Sequence, residues 1–410
     1  MGDGTDQGAP VPLGLQPFSG LRFGGDAATV AARTMTPPDA WGDADDLGAG
    51  EPHHVARLLE PAFTPGDGGP RLDAWEGEGI VLRDPPAVYV YRRSGPDGAT
   101  RGLLGAMDLS GRTSAPLIPH EDVRPELVEV QQDFAAQTHA QVDPVVAIAG
   151  APAPTAPSPL STVLDQVTAG APDLTLVDGV ETHELWVHTS PEVHRAVART
   201  PVGRVLVADG HHRRRAWTGD GGSTAWGLTW VVDDTVEPLR LRAVHRVCPG
   251  LDLGTIEGSP LVVTEEVDAD AALGLLADAG VPRCVAYAGG RWLDVRPAPG
   301  AVAPSCALPD HAICWLHQVW LPGWGADVDE LEYVHDARAA VRRADGADAV
   351  ALLLPPTRLS AVRAAAYGGT TLPAKATSFV PKPRMGLVMR HWGSDGDDVS
   401  PVPATPADTD

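Results

Sequence analysis

Along the chain, apolar and polar positions change their period several times, and each change marks an element. Pro86–Arg93 (PAVYVYRR) and Gly102–Leu109 alternate or run apolar on either side of the turn-rich stretch SGPDGAT, which predicts a β-hairpin. Helical spacing of Leu127, Val130, Phe134 and Ala135, with a proline in the first turn, predicts a helix over Pro125–Ala140. Pro144–Ile148 and Thr182–His188 read as strands, the second followed by a helix from Pro191. Arg204–Ala208 (RVLVA) reads as a buried strand, and a helix-compatible run, His211–Trp217, follows it almost at once. Gly227–Val232 and Leu239–Val247 read as two further strands. After a composition break at Pro249–Gly258 the alternation restarts. A helix is expected at Asp268–Ala279, strands at Arg283–Tyr287 and Arg291–Val295, and a loop over 297–309. The strand Ala349–Leu354 lies between helices at Ala337–Ala344 and Leu359–Ala366.

This mixture predicts an α+β fold in two domains, 15–250 and a smaller α/β domain at 255–392. The ends, 1–14 and 393–410, are poor in periodic apolar residues and are expected to be disordered. With 410 residues, 43% of them hydrophobic, the chain can bury a sizeable core. No run of eighteen apolar residues is present, so no membrane span is expected, and Met1–Pro10 lacks the basic and apolar regions of a secretion signal. The formal net charge of -23 repels nucleic acid and anionic membrane. Cys248, Cys284, Cys306 and Cys314 form no CxxC pair, so neither a disulfide framework nor a zinc site is expected, and a reducing cytoplasm fits. The fourteen histidines include no HExxH, so no metal site is assigned. A P-loop, a GxGxxG fingerprint and a nucleophile elbow are all missing from the sequence.

The best-defined chemistry is the run Asp209-Gly210-His211-His212-Arg213. Gly210 allows a sharp turn out of the strand, and the first N–H groups of the following helix point outward with the positive end of its dipole. Histidines and arginine in a first helical turn oppose that dipole, and a bound anion would remove the conflict. Asp209, Gly210, His211, His212 and Arg213 are therefore candidate phosphate-binding residues, although a capped helix with a solvated basic turn has the same pattern, and Asp209 could equally be its cap. The positive charge is supplied by 29 arginines and only two lysines, Lys375 and Lys382, close together near the C-terminus. Two compact ammonium groups on a Pro-rich segment suit a clamp on phosphate or carboxylate; the plainer reading is a strand whose lysines meet surface acids. Glu121, after His120 and ahead of the Pro125 helix, could take a proton from a hydroxyl, hold Mg²⁺, or serve only as a helix N-terminal acid. Asp39 has the same two chemical roles open to it, or caps a turn. His53 and His54 read as surface residues or as metal ligands.

These motifs resemble, in order, those of the bacterial "domain of unknown function 1015" family. DGHHR is similar to its signature turn. Gln16–Phe23 resembles its opening "PFRGLRY", Thr36–Asp39 its "PPYD", Pro52–Leu58 its "NPYNVVRL", and Val244–Val247 its "HRV" strand. Toward the end, Tyr333–Asp336, Leu354–Thr357, Pro373–Thr377 and Phe379–Lys382 resemble "YVHD", "LPPT", "MPPKST" and "FYPK". The family is related to the ParB/sulfiredoxin-like superfamily, which includes free serine kinases. The resemblance thus implies a ParB/sulfiredoxin-like N-terminal domain that binds ATP or ADP with Mg²⁺. It implies phosphate transfer to a small hydroxyl substrate, with Glu121, His212 and Asp39 as catalytic candidates and Lys375 and Lys382 as further phosphate ligands. The family's Asp-Arg pair after "HE" is missing from Asp122–Gln131. Its loss favours the alternative, a nucleotide-binding regulator that transfers nothing.

Overall fold

The computed structural model describes residues 9–37, 50–63, 68–96, 98–150, 157–218, 226–277, 282–306, 308–392, 399 and 402. They form an α+β protein whose chain makes two compact units. The first comprises 1–119, 123–239 and 381–410; the second comprises 120–122 and 240–380. The units interleave along the chain, because the C-terminal segment from Pro381 belongs to the first.

The first unit is built on an eight-stranded sheet. Its strands are β1 (Val88–Gly95), β2 (Gly98–Asp108), β3 (Leu117–Ile118), β4 (Val145–Ala149), β5 (Leu174–Asp178), β6 (Glu181–His188), β7 (Val205–Asp209) and β8 (Trp226–Asp233). Their spatial order is β3-β7-β4-β8-β2-β1-β6-β5. The expected hairpin is present as β1 and β2, paired antiparallel from Tyr89–Leu104 to Gly95–Gly98. The central strands are apolar on both faces because the sheet is covered on both. Val88, Val90, Val145, Ala147, Val205, Val207 and Val231 share one core with side chains of four helices. These are α1 (Pro125–Thr138), α2 (Pro159–Val167), α3 (Pro191–Arg199) and α4 (His211–Thr218). The alternate residues Tyr89, Tyr91, Ile148, Leu206 and Trp230 are equally buried.

The second unit has a six-stranded sheet, β9 (His245–Pro249), β10 (Val262–Val267), β11 (Cys284–Ala288), β12 (Arg291–Pro297), β13 (Glu332–Val334) and β14 (Ala349–Leu353), in the order β10-β12-β11-β14-β9-β13. Helix α5 (Ala337–Asp345) contributes Ala340 and Ala344 to its core.

Three expectations are corrected. Leu239–Val247 is not one strand: Arg240–Arg242 pairs with Ser378–Val380, and the chain then changes sheets at Ala243-Val244 to enter β9. The cysteines are not all free thiols. Cys306 and Cys314 form a disulfide, Cα–Cα 6.3 Å, because the loop carrying Cys306 turns back onto a helix start; Cys248 and Cys284 are free and buried. Order also begins inside the stretch expected to be disordered, since Val11–Pro12 pairs with Pro201–Val202 and Leu13 is buried. Residues 1–8 and most of 393–410 lie outside the described residues. Among the described residues, no helix is long and apolar enough to cross a membrane.

Candidate phosphate turn and its surroundings

Strand β7 does not run straight into its turn. Its antiparallel pairing with β4 shifts register between Val207 and Asp209, so Ala208 is an extra residue and Asp209 is re-aimed at the strand end. Gly210 follows at φ +85°, a left-handed conformation that L side chains rarely adopt. A Cβ there would also lie 3.0–3.2 Å from the guanidinium of Arg213. Helix α4 begins at His211, and its ladder opens with the Arg214 N–H donating to the Gly210 carbonyl at 2.8 Å. The expected strand-turn-helix is therefore present in outline and in detail.

The side chains divide the work differently from the sequence expectation. Arg213 folds back along the turn. Its Nη1 pairs with Asp143 Oδ2 at 2.6 Å, while its Nη2 donates to the Pro144 carbonyl at 2.9 Å and to Asp209 Oδ2 at 3.1 Å. Burial opposes its charge, but the pull of Asp143 and then Asp209 outweighs that, and the guanidinium is held more firmly protonated than usual. The other oxygen of Asp209 accepts from the Lys382 ammonium. Asp143 is only 7% exposed, and among the described residues its Oδ1 has no hydrogen-bond partner. Burial pushes its carboxyl up to about 6, against the opposing effect of Arg213 and with a smaller upward push from Asp209. Two acids and two bases thus form a neutral quartet around the turn. His211 is buried at the start of α4, and His212 Nε2 accepts the backbone N–H of Arg124 at 3.1 Å.

Asp143 was not anticipated. Its one signal is an acid set between Val142 and Pro144 just ahead of an all-apolar strand, where a carboxylate needs a partner.

Glu121 and Lys375 belong to the second unit. Glu121 Oε1 accepts the Thr377 N–H at 2.7 Å and Oε2 accepts the Lys375 N–H at 3.2 Å. The Lys375 carbonyl accepts from the fully buried Arg246 at 2.9 Å. Lys375 itself is left-handed, φ +60°, so its peptide is gripped from both sides in a conformation costly for a residue with a side chain. His120 is buried against Thr377, Nε2 to Oγ1 2.8 Å. Asp39 lies outside the described residues. His54 is buried with Nδ1 accepting the Ala56 N–H at 3.2 Å, and His53 lies 3.5 Å from Glu51. Among the described residues no group of three or more His, Cys, Asp or Glu could hold a metal ion.

The profile of the family described as "protein of unknown function (DUF1015)" matches residues 15–263, more than half of the chain. The chain belongs to the DUF1015 family. No curated protein matches it. Among solved structures this DUF1015 chain is similar to a free serine kinase in complex with AMP, at 12% identity and TM-score 0.37, covering 68% of this chain and 87% of that one. It is also similar to a conserved hypothetical protein from Pyrococcus furiosus (11%, TM-score 0.40, 70% and 93% covered). A third is SbnI with a C-terminal truncation from Staphylococcus aureus (14%, TM-score 0.37, 68% and 84% covered).

Proposed function

We propose that the turn Asp209–Arg213, with Lys382, binds the phosphates of a nucleotide, ATP or ADP in the first instance. The observation that carries this reading is the bulged strand end followed by left-handed Gly210 and a helix start, with the Lys382 ammonium brought to the same turn. Backbone N–H groups and the helix dipole attract the anion. Lys382 is the mobile cation, able to be shared between Asp209 and a phosphate oxygen, whereas Arg213 is committed to three acceptors and holds the turn in shape. Mg²⁺ bound with the nucleotide would find a hard oxygen ligand in Asp209, consistent with its use of one or two carboxylates alongside phosphate and water, and would neutralise phosphate charge.

Phosphate transfer to a small hydroxyl compound is the fuller form of this reading, in the ParB/sulfiredoxin-like setting that the family resemblance implies. Asp39 and His212 then remain the proton-handling candidates, His212 with its Nε2 already accepting the Arg124 N–H. Binding without transfer is the second reading. It is favoured by Glu121, whose two oxygens are spent on the backbone of Lys375 and Thr377 rather than presented to a substrate.

Thermal unfolding with ATP, ADP, CTP and GTP, with and without Mg²⁺, tests binding. A ligand at one hundred times its dissociation constant stabilises the fold by about 2.7 kcal/mol. The shift is expected to shrink, without vanishing, in Lys382→Met, because the turn's N–H groups remain. If no nucleotide moves the midpoint of the parent protein, the phosphate reading is wrong. Assaying nucleoside di- or monophosphate release with serine and other small alcohols then decides between transfer and binding alone.

A further inference from the structure

We infer that Tyr91 with His183, and Arg93 with Glu181, form a two-armed polar positioning frame whose task is to hold Lys382 at the phosphate turn. The inference rests on the phosphate reading for its purpose, but its geometry stands within the first unit.

The segment Pro381-Lys382-Pro383-Arg384 has few backbone donors, because its prolines supply none. Its two ends are held by side chains from one face of adjacent strands. Tyr91 and Arg93 are alternate residues of β1; Glu181 and His183 are alternate residues of β6, with His183 directly opposite Arg93. From one end, the Arg384 N–H donates to the Tyr91 hydroxyl oxygen at 3.2 Å, and that hydroxyl lies 2.8 Å from His183 Nδ1. The arrangement that satisfies all three groups has Tyr91 donating its proton to Nδ1, which places the histidine proton on Nε2. His183 Nε2 makes no hydrogen bond among the described residues; Glu181 Oε2 lies 3.6 Å from it, a contact that does not join the two arms. Glu181 in turn accepts Arg93 Nε at 3.0 Å, and Arg93 Nη1 donates to the Lys382 carbonyl at 3.3 Å. One arm thus grips the segment at Arg384 and the other at Lys382, with rigid Pro383 between.

His183 is buried and, through burial first and then Arg384 and Arg93, is held unprotonated with its pKa down at about 3, which keeps Nδ1 an acceptor. The Arg384 side chain fastens the far end, with Nη1 on Asp178 at 2.6 Å and Nε on Thr34 Oγ1 at 2.6 Å.

A segment needed only to fill space could be held by apolar contacts at lower desolvation cost. Here a polar frame, buried at Tyr91 and His183 and partly exposed at Arg93 and Glu181, fixes a main chain that displays one long ammonium, and that ammonium ends on Asp209. Holding the main chain at both sides fixes where the lysine starts from, so engaging a ligand costs only its side-chain freedom and no backbone ordering. Tyr91 and Arg93 are thus positioning residues acting through Lys382.

The chain has two lysines, which makes the test direct. Competitive acylation read by mass spectrometry gives the reactivity of Lys382 relative to Lys375 in the full-length protein, without any nucleotide. Tyr91→Phe removes only the hydroxyl, and Arg93→Met removes the grip on the Lys382 carbonyl. Each is expected to raise the relative reactivity of Lys382 about threefold to fivefold, the upper end of the range for losing a partly exposed ion pair, and Arg93→Lys to restore it in part. Where the parent protein binds nucleotide, Tyr91→Phe is expected to shrink the ligand-induced midpoint shift, but to have no further effect in a Lys382→Met background. Unchanged Lys382 reactivity in folded Tyr91→Phe overturns the frame. So does additive loss of binding in the double variant. A parent protein that binds no nucleotide sinks the phosphate reading alone, since acylation reports on the frame independently.

Discussion

Replacing Arg213 by methionine separates two pictures of the turn. If the guanidinium faced outward to await phosphate, its removal would be a surface change, worth about 0.5 kcal/mol or less. The structure has it folded inward, 2.6 Å from Asp143 Oδ2 and 3.1 Å from Asp209 Oδ2, beside a carboxylate that is 7% exposed. Unit charges about 4 Å apart, at an effective dielectric near 20, attract by about 4 kcal/mol. Breaking a buried pair by removing one partner costs about 3–5 kcal/mol, because the remaining charge stays desolvated. The two figures agree, so Arg213→Met is expected to lose about 4 kcal/mol near pH 8, measured by urea unfolding. The pH dependence is the sharper mark. Asp143 already titrates at about 6 in the parent. As pH falls below that value the carboxyl becomes neutral in both proteins, the pairing is lost from the parent as well, and the deficit should shrink. Adding Asp143→Asn should likewise recover most of the loss at pH 8. A deficit below 1 kcal/mol, or one that neither low pH nor Asp143→Asn relieves, would refute the inward-facing role.

Three further outcomes follow from the same structure. In the parent, the raised Asp143 pKa means the folded state binds its proton more tightly than the unfolded chain. This contribution to stability is therefore fully present below about pH 4 and is lost as pH rises through about 6, by up to about 3 kcal/mol; urea titrations of Asp143→Asn should lack that slope. Gly210→Ala places a Cβ at φ +85° against Arg213 and should cost about 1–2 kcal/mol for the left-handed backbone alone, with more if the guanidinium is displaced, and should weaken any nucleotide-induced shift. Reducing the Cys306–Cys314 disulfide, which closes a loop with a sequence separation of 8, should cost somewhat under about 3 kcal/mol, seen as a lower urea midpoint in dithiothreitol and reproduced by Cys306→Ser.

What could be read from the sequence was whatever depends on neighbouring residues. RVLVA followed by Asp-Gly specifies a strand and a sharp exit, and HHRRRAW supports a helix directly after it, so the turn was legible in its backbone. The Ala208 bulge was not, because it is a mismatch between two strands and exists only once β4 pairs with β7. The partner of Arg213 was hidden for the same reason: Asp143 lies about seventy positions earlier and meets the turn through that antiparallel register, Val146 opposite Asp209. The two lysines stood out in the sequence as a compositional oddity, but their separation into different units did not. Lys382 joins the first unit through the Tyr91–Arg93 face, and Lys375 is held in the second by Glu121 and Arg246. Glu121 shows how a local rule misleads: an acid ahead of a helix reads as a dipole partner or a base, yet its oxygens turn to a segment more than 250 residues away. The disulfide was missed because an eight-residue spacing says nothing of whether the loop between folds back.

The electrostatics of the turn point to a division of labour between its two cations. The protein as a whole carries -23 formal charges, so a phosphate approaches against the net field. A site that relied on exposed arginines would lose them to surface acids. Here the arginine is consumed inward, where its planar fork matches the three fixed acceptors of Asp143, Pro144 and Asp209. That leaves one oxygen of Asp209 for a point charge, and an ammonium can turn from that oxygen to a phosphate without breaking a bidentate pair. With the quartet neutral before binding, an arriving phosphate need only share Lys382 and accept from the start of α4. Release is equally simple, because Asp209 is in place to take the ammonium back. On the proposed phosphate reading, this arrangement would suit reversible nucleotide capture and would give position 382 a use for an ammonium in a chain that has 29 arginines and only two lysines.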